Sequence, residues 1–289
     1  MDASDRSTAR RMWELTERFH ACFYLEAEPR ETAAAAGLKG FWMTYFASRA
    51  APMGAIGADA AEAVFFYFAP SRVRRALPDA WSLTDPAAVL DARYRGVDAV
   101  LRRRYGDRLD DPGITEAAAL VRAAVDGGRP LGKPLFAGWA GLPWPDEPHL
   151  QLWHGCTVLR EHRSGAHVIA LADAELDGCE AVVSHVAVDA APADWIGGEA
   201  GWTPDEAAAA RERLAARGWV EASGRATAAG RAGRAAIEER TDRLDRAPWD
   251  HLGAARTERL VELLTPVVDL LPPDDQLDWQ HHYGPNTFD

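Results

Sequence analysis

The chain has 289 residues, of which 47% are hydrophobic and 26% charged, and its 32 Lys+Arg against 44 Asp+Glu give a net charge of −12. That length suits two packed units better than one core, because domains most often run about 100 to 150 residues. The charged start MDASDRSTARRMWELTERFH is unlike a secretory leader, and no stretch reaches the roughly 18 apolar residues of a membrane span, so a cytoplasmic protein is expected. Three cysteines, Cys22, Cys156 and Cys179, occur without a C-x-x-C pair, which argues against a disulfide framework or zinc knuckle and for small buried hydrophobes. The charge is uneven: residues 1–145 hold 19 basic and 18 acidic residues, residues 146–289 hold 13 and 26. The second half is therefore expected to repel duplex DNA at long range unless dimerisation conceals its acids.

In chain order, residues 7–24 read as an amphipathic helix in which Met12, Thr16, Phe19 and Phe23 form a core stripe, with Trp13, His20 and Tyr24 beside it. Residues 30–50 read as a second helix whose end brings Trp42, Tyr45 and Arg49 to one side. APMGAIG breaks it. A helix from Asp59 is expected to run through AVFFYF to Pro70, with Ser71 capping residues 72–77. Residues 86–105 and 113–125 have helical spacing, and Arg102, Arg103 and Arg104 suit a solvated helix end. The Gly- and Pro-rich stretch from DGGRPLGKP to LPWPDEP, with Trp139 and Trp144, reads as a packed crossing between domains.

From His149 a helix is expected to reach about Arg163, with Gly165 breaking it and shorter pieces at 166–175 and 177–186. Thr203, Pro204 and Gly218 bracket a helix in PDEAAAARERLAARG by a cap, a first-turn proline and a terminating glycine. Residues 219–229 suit two tiny strands about a Ser223-Gly224 turn, and helices follow at 230–244 and 253–270. The tail QHHYGPNTFD is expected to be mobile.

HLQLWHGCTVLREHR is the most informative segment. Leu150, His154, Thr157 and Glu161 share one face, while Leu152, Trp153, Cys156 and Leu159 make the other faces apolar. A helix apolar nearly all round lies deep, where an imidazole and a carboxylate must be paired or used. One reading makes His154 a satisfied core histidine and Glu161 the partner of Arg49 or Arg163. The sharper one gathers His20, Tyr24, Trp42, Tyr45, Arg49, Trp153, His154 and Glu161 around an apolar cavity. Arg49 would then hold an acidic or phenolic oxygen, and His154, Glu161 or His20 would handle protons. His154 and His162 are eight residues apart, about 80° around the helix, and no His-Glu-x-x-His occurs, so no metal is expected. Glycine-rich phosphate loops and a G-x-S-x-G elbow are missing, so no nucleotide or other cofactor is expected.

The order helix, Gly-Trp-Val, short turn, Thr-Ala-Ala-Gly-Arg and long helix over residues 165–245 resembles the multiple-antibiotic-resistance type of winged-helix regulator. LKGFWMTYFASRAAPMG, LPWPDEPHLQLWHGCTVLREHR and WTPDEAAAARERLAARGWV resemble a family of actinobacterial helix-turn-helix proteins. The resemblance implies a mainly α fold in which a helical aromatic-rich domain (1–130) and a packed connection (131–148) precede a winged-helix-like domain with a very short β wing and C-terminal helices (149–271), then a tail (272–289). It also implies a role in regulation or specialised metabolism. The helix in the recognition position begins with Asp205 and Glu206, where a base reader offers Arg, Asn, Gln or Ser. Arg211, Arg213, Arg217 and Arg225 could touch phosphate, with little sequence information. The expected protein is thus a binder of an aromatic or polycyclic small molecule, homodimeric through its C-terminal helices. A ligand-responsive transcription regulator and a cofactor-free acid–base enzyme are the alternatives.

Overall fold

The computed structural model describes residues 7–21, 23–24 and 26–271. The expected tail mobility, His281-His282 and Cys22 lie outside them. The described residues are mainly helical, and their one isolated β contact is an antiparallel bridge between Val220 and Ala226.

The N-terminal helices are α1 (Thr8–Ala21), α2 (Ala27–Ala35) and α3 (Gly40–Ala50). Met12, Thr16 and Phe19 are buried along α1 as the spacing predicts, and Phe23 is buried in the turn that follows. The single helix expected over 30–50 is two helices, because Gly37 takes φ +96° and reverses the chain before Leu38 enters the core. Only glycine adopts that conformation without strain. Next come α4 (Ala58–Val64), α5 (Pro70–Ala76) and α6 (Asp79–Leu83). The run expected to stay helical to Pro70 stops at Val64, and Phe65 and Phe68 turn inward to edge contacts with Phe46, at 4.9 Å between centroids in each case. Ser71 is not the cap of α5: Pro70 occupies its first turn after an extended Ala69, as a proline requires.

Helices α7 (Pro86–Tyr105) and α8 (Pro112–Asp126) follow the predicted spans, each opened by an aspartate cap, Asp85 or Asp111, before a proline. Arg103 and Arg104 at the end of α7 are not simply solvated, since they bind Glu26 and Glu28. In the crossing segment α9 (Pro134–Ala140) buries Trp139, whose Nε1 donates to the carbonyl of Arg49 at 3.2 Å.

The axis of the molecule is α10 (Pro148–Asp173), which runs unbroken through Gly165. The expected break fails for a packing reason. A Cβ at Gly165 would lie 2.7 Å from Cγ and 3.2 Å from Cα of Lys133, so glycine here permits the crossing segment to approach an intact helix. The first half of α10 joins an apolar cluster with α1, α7, α8 and α9, and its end joins another with α11 (Gly178–Ala187) and the helices after it. Short α12 (Trp195–Gly198) leads to α13 (Pro204–Ala216). Thr203 and Glu206 form a reciprocal cap on α13, and Gly218 takes φ +72° beyond its end, as the sequence predicts.

After the Val220–Ala226 bridge, α14 (Ala228–Asp245) returns along α10. The helix expected over 253–270 is α16 (Ala254–Val268), preceded by a separate α15 (Ala247–Leu252). Its buried Leu260, Leu264 and Val268 belong to the same cluster as α1 and α8 of this chain. Cys156 and Cys179 are buried. No helix among the described residues is long and apolar enough to cross a membrane.

Helices α8 and α10 cross closely at Gly155, where a Cβ would stand 2.2 Å from Cγ1 of Val121 and 3.2 Å from the Trp144 ring. Gly155→Ala is expected to cost about 1–3 kcal/mol through overpacking, despite the better helix propensity of alanine. Urea unfolding monitored by helical circular dichroism checks this, and an unchanged or raised midpoint would contradict it.

Candidate functional site

A cavity of about 350 Å³ opens where five helices meet, each contributing one face. From α1 come Arg10, Trp13 and Glu17, from α3 Tyr45 and Arg49, and from α11 Ala181 and His185. Helix α10 supplies Arg160, Ser164, His167 and Leu171, an i, i+4, i+7, i+11 row that exists only because it continues past Gly165. Arg234 and Glu238 of α14, Tyr67, Phe68 and Trp195 complete most of the rest. Aromatic walls with a few convergent polar groups are the usual makeup of a small-molecule site, and the volume lies in the ordinary range.

One edge of the cavity is built on a buried ion cluster. Arg49 grips Glu161 with two parallel bonds, Nε to Oε1 at 3.0 Å and Nη2 to Oε2 at 2.9 Å, and its Nη1 donates to the Tyr45 hydroxyl at 2.7 Å. Arg160 adds a bond to Glu161 Oε1 at 3.0 Å and reaches Glu17 at 3.2 Å. Burial works against the charge on Glu161, but Arg49 and Arg160 outweigh it and hold the carboxyl below the usual range. The same carboxylate raises both arginines against their own burial.

The opposite edge is less satisfied. Arg234 is 5% exposed, and its Nη2 donates to His185 Nδ1 at 3.0 Å and to Glu238 at 3.2 Å. Among the described residues its Nε and Nη1 have no hydrogen-bond partner. Burial pulls its pKa down, with Glu238 and Tyr67 opposing. Burial also presses His167 and His185 down to about 4, so both rings are neutral near pH 7. The Tyr67 ring stacks on His167 at 6.2 Å, and among the described residues its hydroxyl has no hydrogen-bond partner.

Of the residues singled out from the sequence, Tyr45 and Arg49 line this cavity and Glu161 lies directly behind them. Trp42 packs against Phe46 and Phe68 instead. Tyr24 borders a separate cleft of about 30 Å³. His20, Trp153 and His154 sit in the apolar interior and do not reach the cavity wall. His20 bonds Thr157 at 2.9 Å and Tyr24 at 3.0 Å. Trp153 donates to the carbonyl of His20 at 3.2 Å. His154 bonds the Tyr94 hydroxyl at 2.6 Å, packs under Trp144, and is lowered to about 4 by burial and by Arg122, which leaves it a very weak base.

The sequence reading missed Arg10, Trp13, Tyr67, Arg163, His185 and Arg234. Arg234 and Glu238 were legible as an i, i+4 pair, but nothing local marked them as buried. Among the described residues no group of three or more His, Cys, Asp or Glu could hold a metal ion.

With the five-helix cavity and the capped α13 in view, the comparisons define the class of protein. A family model described as a helix-turn-helix family matches residues 9–276, and the chain belongs to that family. A search of curated proteins and a search of solved structures each returned no match.

Two outcomes follow from the electrostatics. Glu161→Ala strands Arg49 and Arg160 in the interior and is expected to destabilise the fold by about 3–5 kcal/mol. Arg49→Met combined with Glu161→Leu is expected to lose clearly less; equal losses in urea melts would contradict the pairing. The second outcome concerns acid. His154, His167 and His185 have folded-state values near 4 against an unfolded value of about 6.5, so unfolding takes up protons between these limits. Their stabilisation is complete above about pH 6.5 and is lost as pH falls toward 4. Near pH 5 the unfolding constant should rise roughly 100-fold or more per unit of acidification, from two to three protons bound. A stability that stays flat from pH 7 to 5 would contradict this.

Proposed function

We propose that this helix-turn-helix family member binds an aromatic organic acid in the five-helix cavity, and that ligand binding rather than base-specific DNA reading is its principal activity. The observation that carries the reading is Arg234, a guanidinium in the cavity wall whose Nε and Nη1 have no hydrogen-bond partner among the described residues. Leaving such donors unmet costs about 1–3 kcal/mol each, and a carboxylate oxygen that accepts from one of them gains a charge-assisted bond. Trp13, Tyr67, Phe68 and Trp195 offer faces for the rest of the ligand. Catalysis by His154, Glu161 or His20 has less support, since none of the three lines the cavity and the histidines are held neutral by burial.

In this reading α11, α13 and the 219–227 hairpin form a winged helix with a rudimentary wing, following the 149–271 domain expected from the sequence. The surface of α13 argues against groove reading. Arg213 is drawn back to Asp177 at 2.6 Å and Glu180 at 3.1 Å, and Arg217 to the carbonyls of Ala174 and Glu175. Solvent meets Asp205, Ala208, Ala209 and Glu212, with Arg211 as the cation of α13 that has no ion-pair partner among the described residues. Family membership favours a second reading, a ligand-responsive regulator: α11 carries Ala181 and His185 into the cavity and packs on α13, so an occupant could shift the helix-turn-helix.

Calorimetric titration with 1-naphthoate tests the ligand. Binding is expected to weaken about 10- to 100-fold in Arg234→Met, the loss of one charge-assisted contact. No binding by the wild type, or equal affinity in the variant, would overturn the proposal. Anisotropy of labelled genomic fragments across a salt series tests the regulator. Weak, salt-sensitive association is expected, whereas a tight sequence-selective complex at about 150 mM salt would establish the second reading instead.

A further inference from the structure

We infer that the cavity selects aromatic acids that also carry a ring hydroxyl, read by Nε2 of His167; this inference rests on the ligand reading above and specifies its second contact. The argument begins with a hydrogen that can only be in one place. Thr241 Oγ1 donates its single proton to the carbonyl of Ile237 at 2.8 Å, one turn back on α14. In its 2.7 Å contact with His167 Nδ1 the hydroxyl must therefore accept, so Nδ1 carries the ring proton. Burial, aided by Arg234 and Arg163 and opposed by Glu238, keeps the ring neutral near pH 7. Nε2 is then a bare acceptor.

What faces it is another acceptor. Glu238 Oε1 stands 3.8 Å from Nε2, and against its burial the carboxyl is held ionised by Arg10, Arg234 and Arg163. Nε2 thus has no hydrogen-bond donor among the described residues, while the Glu238 Oε1 beside it accepts from Arg234.

The same device occurs elsewhere in the molecule in completed form. His20 gives its Nδ1 proton to Thr157 at 2.9 Å, and Thr157 in turn donates to the carbonyl of Trp153 at 2.9 Å. There the Nε2 acceptor receives a phenol O–H, that of Tyr24, at 3.0 Å. The cavity repeats the histidine and the threonine and leaves the phenol's place to whatever enters. Its position relative to the acid is also constrained. Arg234 Nη2 lies 3.2 Å from Glu238 Oε1 and Nε2 of His167 lies 3.8 Å from the same atom, so the guanidinium that carries the partnerless Nε and Nη1 comes within about 7 Å of Nε2 at its Nη2. A hydroxyl across the same ring from the carboxylate spans that interval. One beside the carboxylate bonds it internally and loses its donor.

Titration of 1-naphthoate, 4-hydroxy-1-naphthoate and 4-methoxy-1-naphthoate tests the assignment, because the methyl ether keeps the shape and removes the donor. The hydroxy acid is expected to bind about tenfold more tightly than either of the others, the worth of one good hydrogen bond. His167→Leu should abolish that ratio, so that the three acids bind alike to the variant. Thr241→Val frees the tautomer without touching the ligand and should reduce the ratio, which covers a failure of the leucine variant to fold. Equal binding of the three acids, or a ratio that survives both substitutions, would overturn the inference while leaving the aromatic-acid reading intact. If 1-naphthoate and both derivatives fail to bind, the parent reading falls with it.

Discussion

The structure turns on one buried carboxylate. Glu161 sits in the interior of α10 and is held by Arg49 from α3 and Arg160 from its own helix, with Arg160 passing on to Glu17 of α1. Three helices that share no local sequence are thereby tied at one point, and Tyr45 and Arg49 are fixed at the edge of the cavity. A buried ion cluster is a poor source of net stability, since desolvation consumes most of its Coulombic gain. Its effect is geometric: Glu161 is 0% exposed, and with its charges neutralised in only one arrangement α3 cannot slide along α10 without leaving a charge unpaired. The cavity inherits that fixed edge, while its other side, around Arg234, retains donors that the protein does not use.

Much of the helical outline was legible because its signals are local. Proline in the first turn, aspartate or threonine before it and glycine beyond the end state where α7, α8 and α13 begin or stop, without reference to the rest of the chain. The apolar circumference of 149–163 likewise announced a buried helix. The errors came where tertiary contact decided the outcome. Gly165 reads as a breaker, yet its missing side chain serves Lys133. Phe65 and Phe68 read as helix, yet the aromatic cluster around Phe46 draws them into a turn.

The site was half legible for the same reason. Chemistry alone asked for a buried arginine beside Glu161 and offered Arg49 or Arg163; the structure brings Arg49, 112 residues away, to it. The row from Arg160 through His167 to Leu171 was hidden, because the expected break at Gly165 falls within it. The contribution of α14 was hidden altogether: Arg234 and Glu238 look like an exposed pair one turn apart until α10 and α11 close over them.

The charge distribution and the family membership pull in different directions, and the side chains reconcile them. The chain belongs to a helix-turn-helix family, yet Arg213 of α13 and Arg217 just beyond it are spent on the protein's own acids and carbonyls, leaving an outer face of acids and alanines with Arg211 among them. Cations are concentrated instead around the cavity, in a protein whose net charge is −12. A crystal structure of the 1-naphthoate complex tests this account most directly. It should place the carboxylate on Arg234 and the ring among Trp13, Tyr67 and Trp195, with Arg49 still clasping Glu161. Naphthoate seated elsewhere on the molecule, or a cavity filled by its own side chains, would contradict it.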